Sequence, residues 1–524
     1  MTPTPSNTTD RPEKSHVFDK TEEQMADMGE PASRNLDAGA DADVAARFLA
    51  NVDPAIIAEP ISAKEARRLL WKVDLMILPL LGLSVIISAV DKVIISNAAI
   101  YGMRTDLNLL GNQFSWIGSI FYFGYLVAEW PGNLLMQRLP LRTFYACTVV
   151  GWATMSFLTA ACSNFAGLAA VRFIMGMFEA VVFPMCLLVT AMWWNIKEQP
   201  VRIAIWFNVL SSVVTGLLAY GVGHTHTSVA PWRLMFIILG AVTMLWAVIV
   251  YIFLPSSPVE AWWLSDREKY VCLERVRVSN TGVEDKKIKW YQVKECLLDP
   301  KAWLISLYFC AMNILNGGIV TFAAIIVNGL GFSLLDTTLL GVPTGVIGTV
   351  WAIILNIVAS RLPGWRCVII AGLEVFPLVS AVLMWQLPRS RKYSLLGAYY
   401  GFYSYWAPMN LASSLPMANS SGHSKKVTQN AMYFVWYCIG NILGPQVFRA
   451  NDAPDYHRGY IGLTAVLCFA IVDILLYGAL CRRENGRRDK AQRDIPLDQV
   501  EAEKSAEAFS DKTDGEKPNF RYTY

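Results

Sequence analysis

Charge is scarce in this chain. Charged residues are 17% of its 524 positions, against about 25% in an ordinary soluble domain. The formal net charge of +3 leaves no basic surplus of the kind that attracts nucleic acid. The ten cysteines, among them Cys147, Cys186, Cys310 and Cys468, are scattered through apolar stretches without paired spacing or histidine partners. Neither a disulfide framework nor a metal site is indicated. No Ser-His-Asp, metal-ligand or nucleotide constellation is present, so an enzyme is not expected and no cofactor is implied. A secretory signal is also missing. Residues before about Ala63 are polar, acidic and rich in Pro, Ser and Thr, which reads as a disordered cytoplasmic tail over 1–70.

What the chain does have is apolar length: 54% of it is hydrophobic, gathered in runs long enough to span a bilayer, which takes about 20 residues. The runs fall near 75–98, 115–136, 143–162, 166–193, 203–224 and 233–254, then 303–328, 337–359, 367–387, 394–415, 429–449 and 459–480. The reading is an all-α polytopic membrane protein of about 12 transmembrane helices in two six-helix halves, 71–254 and 303–480. A charged cytoplasmic central loop, 255–302, would separate them, and a cytoplasmic tail, 481–524, would follow. With both termini cytoplasmic, Arg138 and Arg142, Lys197 and Arg202, Arg361 and Arg366, Lys425 and Lys426, and Arg482 and Arg483 all fall inside, as the positive-inside rule requires. Arg389, Arg391 and Lys392 fall outside, and are read as a solvated loop or a contact with an anionic solute.

Against that apolar background, Asp91 and Lys92 in the first run and Glu179 in the fourth stand out. Each ionisable residue at the centre of a span costs about 2.5 to 3.5 kcal/mol on insertion scales, so the three point to a polar pathway inside a helix bundle. Neighbours on a helix point about 100° apart. Lys92 is therefore expected to face a central cavity while Asp91 faces another helix. A substrate carboxylate would compete with Asp91 and Glu179 for the one cation, and protonating the acids would free Lys92 to hold the anion. The alternative is an ion pair that only locks the first and fourth helices together. Arg172, nearer the outer end of the fourth helix, is read either as a substrate contact or as a side chain that snorkels to the headgroups. Asn208, Asn313, Asn316, Tyr403 and Asn441 can line a cavity or merely bond helix to helix.

Longer strings carry a resemblance. AVDKVIISNAAIYGM, GNQFSWIGSIFYFGYLVAEWPGNLLMQRLPL and VRFIMGMFEAVVFP resemble the anion:cation symporter branch of the major facilitator superfamily. NTGVEDKKIKWYQVKECLLDPKAW and GHSKK followed by NAMYFVWYCIGNILGPQVF narrow it to the fungal allantoate permease family. The resemblance implies the major facilitator fold and proton-linked movement of small carboxylates such as allantoate, ureidosuccinate, dipeptides or vitamin acids across the plasma membrane. It assigns Asp91 and Glu179 to proton coupling and Lys92 to the substrate. Lysine stands where the family more commonly has arginine, which removes the fixed fork that clamps a carboxylate, and Ile94 stands where many relatives have Asn. Tyr125 matches a tyrosine that lines the site in similar symporters, and Asn441 matches the family's Gly-Asn pair. Glu129, Arg138 and Arg142 occupy the cytoplasmic gate between the second and third helices, with Glu129 in place of the usual Asp. Glu374 and Asp473 fall on helices that flank the bundle, at an interface or the lipid edge.

The remaining features read as inert. His224 and His226 lie in an outer loop, and the sequons at Asn7 and Asn419 lie on the cytoplasmic side, away from glycosylation. Arg482, Arg483, Arg487, Arg488 and Lys490 are read as a lipid anchor for the last helix, and the acidic stretch beyond them as solvated disorder. The function expected is secondary active transport by alternating access, as proton symport of a small organic anion, with the bilayer as the other partner and a monomer as the working unit. A proton-driven exporter of a fungal secondary metabolite is the alternative, since it shares the fold and can use the same acids in antiport.

Overall fold

The computed structural model describes residues 48–49, 51–195, 198–207, 210–279, 288–362, 364–493, 495–496, 500, 507 and 510–524. The first half is built from α1 (Ala63–Ala98), α2 (Gln113–Arg138), α3 (Leu141–Ala161), α4 (Phe165–Trp193), α5 (Gln199–Gly223) and α6 (Pro231–Phe253). The second holds α7 (Pro300–Gly329), α8 (Leu334–Ala359), a broken α10 made of Lys392–Phe402, Trp406–Ala412 and Ser414–Ala418, and α9 (Arg366–Gln386), α11 (His423–Val447) and α12 (His457–Ala491). Among the described residues, nine of these helices are long and apolar enough to cross a membrane. The other three fall short for physical reasons. α2 and α11 pack against each other between the halves, so protein rather than lipid covers their more polar faces, while α10 is divided into pieces too short to score alone.

Helix neighbours repeat when every number is advanced by six. α1 packs on α5 and α7 on α11; α2 on α4 and α8 on α10; α3 on α6 and α9 on α12. Between the halves, α1 meets α7, and α2 meets α11 as α5 meets α8. Such a pattern is the signature of two repeats about a pseudo-twofold axis. Large apolar side chains such as Val350, Ile353 and Ile357 on α8 remain exposed, as a lipid-facing surface requires.

The halves are bonded together at the end remote from the connecting loop. Ser119 donates to the Ile442 carbonyl (2.6 Å), Ser115 to the Phe448 carbonyl (3.0 Å) and Gln446 to Ser119 (2.9 Å), while the Ala324 amide donates to Ser96 (2.8 Å). At the opposite end, helix Asp266–Ser279 of the connecting loop is tied to the first half through Glu268 on Lys72 (2.7 Å) and Arg275 on Glu198 (2.7 Å). Helix Trp290–Leu298 packs on α11.

Three expectations need correction. Residues 510–524 are not solvated coil: Thr513 and Asp514 are fully buried and Tyr522 nearly so. α12 continues past 480 to Ala491 because Arg488 binds that same segment. Of the basic cluster read as a lipid anchor, Arg488 is thus bonded to protein, and Arg487 pairs with Glu484 at 2.9 Å. Arg389 is exposed, as a solvated loop requires, and its guanidinium is held there by Asp455 and by the carbonyls of Gly329 and Pro454.

Candidate functional site

The site grows from one close helix crossing. At Gly124 on α2 and Gly176 on α4 the backbones touch so nearly that a Cβ on either would overlap a carbonyl of the other helix, Phe173 and Phe121 respectively. Only glycine permits this approach. Glu179 lies one turn beyond Gly176 and is thereby carried, fully buried, toward α1.

There it forms an ion pair with Lys92. Ser88, one helical turn before Lys92 and so on the same face, donates its hydroxyl to Glu179 and accepts from Lys92 at 2.9 Å. The rings of Phe121 and Tyr125 lie 5.5 and 5.4 Å from the Lys92 ammonium, a cation–π distance. Lys92 keeps 17% side-chain exposure whereas Glu179 has none, so the cation is the more accessible member of the pair.

Asp91 points elsewhere, as the helix geometry requires. Its carboxylate accepts from the Trp152 indole and from the Ser156 hydroxyl (3.1 Å), residues one turn apart on α3. The expectation that a substrate carboxylate would compete with both Asp91 and Glu179 for Lys92 is therefore corrected: of the two acids, Glu179 is the one that pairs with it. Arg172 does not snorkel. It is 2% exposed, lies 3.5 Å from the Asp91 carbonyl and 3.4 Å from the Met175 sulfur, and its guanidinium sits 4.9 Å from the Phe121 ring. Two acids and two cations thus share one cluster whose formal charges cancel, the arrangement that makes burial of charge tolerable.

Across the interface, Tyr125 stacks on Phe434 at 5.9 Å, and Tyr122 meets Tyr437 edge-on at 6.1 Å. Further into the second half, Asn316 donates to Asn441 (2.9 Å), Asn441 to Asn313 (2.9 Å), and Tyr405 to Asn316 (2.7 Å). The structure brings these amides together but spends them on one another, tying α7, α10 and α11. Tyr403 lies 3.2 Å from the Tyr399 hydroxyl. Glu129 accepts from Asn133 at 3.2 Å, and among the described residues no ion pair joins it to Arg138 or Arg142; Arg142 lies 5.1 Å from the Tyr251 ring instead. Glu374 is fully buried and accepts from Tyr308 at 2.7 Å, so it sits at a helix interface and not at the lipid edge. Asp473 is buried as well. His224 is exposed and bonds the Tyr220 carbonyl at 3.0 Å. Asn7, Lys197 and Asn208 lie outside the described residues.

Sequence reasoning missed Ser88, Phe121, Trp152 and Ser156. Ser88 was legible, because its spacing of four from Lys92 places it on the same helix face. Trp152 and Ser156 were not, since nothing local reveals the register of α3 against α1.

The sequence profile of the Major Facilitator Superfamily matches residues 81–445. The allantoate permease of Saccharomyces cerevisiae is 36% identical over 482 residues, covering 88% of this chain and 87% of the permease. The MFS-type transporter cnsL of Penicillium expansum is 35% identical over 484 residues, covering 92% of this chain and 93% of that protein. Among solved structures, a bacterial homologue of the human lysosomal transporter Spinster superposes with a TM-score of 0.60 at 15% identity, over 80% of this chain and 97% of the other.

Proposed function

Because the chain belongs to the Major Facilitator Superfamily, and so is a multi-pass membrane transporter and not an enzyme, we propose that it carries a small carboxylate-bearing solute together with protons by alternating access. The observation that supports this most is the Lys92–Glu179 pair, fully buried on the acid's side and partly accessible on the cation's. An entering carboxylate can satisfy Lys92 only if Glu179 gives it up. Glu179 can give it up without stranding a buried charge only by taking a proton, because an unpaired buried carboxylate is strongly disfavoured. Proton and anion therefore favour one another's binding, which is the thermodynamic content of symport. Asp91, held by Trp152 and Ser156 and facing Arg172, sets the field of the cluster and is the second candidate acid. Tyr125, beside Lys92, supplies a hydroxyl and an aromatic wall. Arg172, Asn316 and Asn441 act from behind this surface, by fixing charge and helix packing.

The allantoate permease among the relatives makes an allantoate-like ureido acid the first solute to test, and a plasma-membrane location with both termini cytoplasmic accords with the basic loops. The test is uptake by proteoliposomes containing the purified protein, with and without an imposed acid-outside gradient, over a panel of carboxylates that begins with allantoate. Accumulation of at least one member that collapses with a protonophore is expected. Uptake of the same solute that ignores the gradient contradicts the coupling, and gradient-driven loss of preloaded solute assigns export instead.

A further inference from the structure

We propose that the loop-end face of the second half is a peptide-binding site, occupied in cis by residues 511–524. This segment forms no helix along that stretch, so its backbone groups need partners, and side chains of the bundle provide them. Asn419 donates to the Thr523 carbonyl and accepts from the Thr523 amide, both at 2.7 Å. Asn485, on the extension of α12, does the same for Tyr522 at 2.8 and 2.9 Å. Each amide side chain thus reads both backbone polar groups of one residue, as a neighbouring β-strand would. Arg488 gathers three carbonyls, those of Asp514 (2.9 Å), Lys517 (3.1 Å) and Phe520 (2.9 Å).

Side chains of the segment are read too. Asp514, fully buried, lies 2.8 Å from Lys425, whose side chain is itself 3% exposed, and it accepts from the Tyr522 hydroxyl at 2.7 Å. Asp511 pairs with Lys289 (2.7 Å) and accepts from the His423 amide (2.6 Å), while Gln292 donates to the Asp511 carbonyl (2.8 Å). The ligand class follows from these contacts: a turn-containing, charge-balanced peptide with two aspartates and a buried tyrosine at fixed spacing. Because Asp511 grips Lys289 and Gln292 at once, occupancy also holds helix Trp290–Leu298 of the connecting loop against α11. An occupant on a covalent tether has an effective concentration on the order of millimolar, so a free competitor can displace it only after the tether is cut.

The test uses the full chain with a protease recognition sequence inserted just ahead of Ser510. After folding, purification and cleavage, the released fragment is expected to remain with the bundle through gel filtration. Excess synthetic 511–524 peptide should displace it at least tenfold more effectively than a peptide carrying Asp514→Ala and Tyr522→Ala. In the Arg488→Ala chain, retention of the cleaved fragment should fall at least tenfold, while the uncleaved variant keeps its gel-filtration profile because the α12 extension lies outside the bundle core. Loss of the fragment immediately on cleavage of the unsubstituted chain, or equal displacement by the two peptides, overturns the proposal.

Discussion

At the scale of single residues, the account rests on Lys92 being the one partly accessible charge among Asp91, Lys92, Arg172 and Glu179. Replacing it by alanine removes a charge-assisted interaction worth about 1.5 to 3 kcal/mol, so binding of carboxylated solutes should weaken about ten- to hundredfold while uncharged analogues change little. Competition assays with acid and amide pairs of one solute measure this, and Lys92→Arg should restore most of the loss. Equal weakening of acid and amide contradicts the assignment. Asp514 supports a second prediction. Burial pushes its carboxyl up, but Lys425 and the hydrogen bonds from Tyr522 and the Ser421 amide outweigh this and hold it below the ordinary carboxylate range. Glu295 and Asp299 also face Lys425, at 2.9 and 3.3 Å. A depressed value means the stabilisation is complete above the unfolded-state pKa and is lost as pH falls through the folded-state one. Asp511, held by Lys289 and the His423 amide, is depressed in the same way, so retention of the cleaved 510–524 fragment should be level from pH 8 to about 5 and fall only in stronger acid, with a smaller step in the Asp514→Asn chain. A step between pH 6 and 7 would implicate a histidine instead. The ionisable members of the transport cluster were legible in the sequence because any charge inside an apolar run is conspicuous. Their orientations were only half legible: the turn between Asp91 and Lys92 follows from helix geometry, whereas the hold of Trp152 and Ser156 on Asp91 depends on packing between helices.

At the scale of elements, the α2–α4 crossing positions Glu179, and it exists because Gly124 and Gly176 lack side chains. Gly176→Ala forces a methyl into the Phe121 carbonyl, and overpacking of this kind costs about 1–3 kcal/mol or more. The variant should melt at lower temperature than the unsubstituted protein, and binding should weaken as Glu179 is moved away from Lys92. An unchanged melting temperature and affinity would show that the crossing can relax. Most helices were visible as apolar runs. α2 and α11 were found by their length despite lower hydropathy, and that same polarity is explained by their burial against each other. The fragmentation of α10 was not foreseen, although Pro408 and Pro416 stand within it, because proline marks where a helix can bend without saying that it does.

At the scale of the whole molecule, two six-helix units meet through α2 with α11 and α5 with α8, and the polar seam between Ser115 and Phe448 joins them at one end. Alternating access requires that this seam open, and its hydrogen bonds, each contributing about 0.5–1.5 kcal/mol net, are weak enough for ligand binding to shift the balance. The repeat was foreseen from the spacing of the runs, yet the folded 510–524 segment was not, because its composition resembles disorder and the partners described above lie on three separate stretches of the chain. The central claim is that Glu179 exchanges its bond to Lys92 for a proton when solute binds. Glu179→Gln mimics the protonated acid permanently. In proteoliposomes under an acid-outside gradient, the account predicts that Glu179→Gln no longer concentrates the carboxylate that the unsubstituted protein accumulates, while exchange of internal for external solute survives. Gradient-driven accumulation by Glu179→Gln at the unsubstituted protein's level would contradict it.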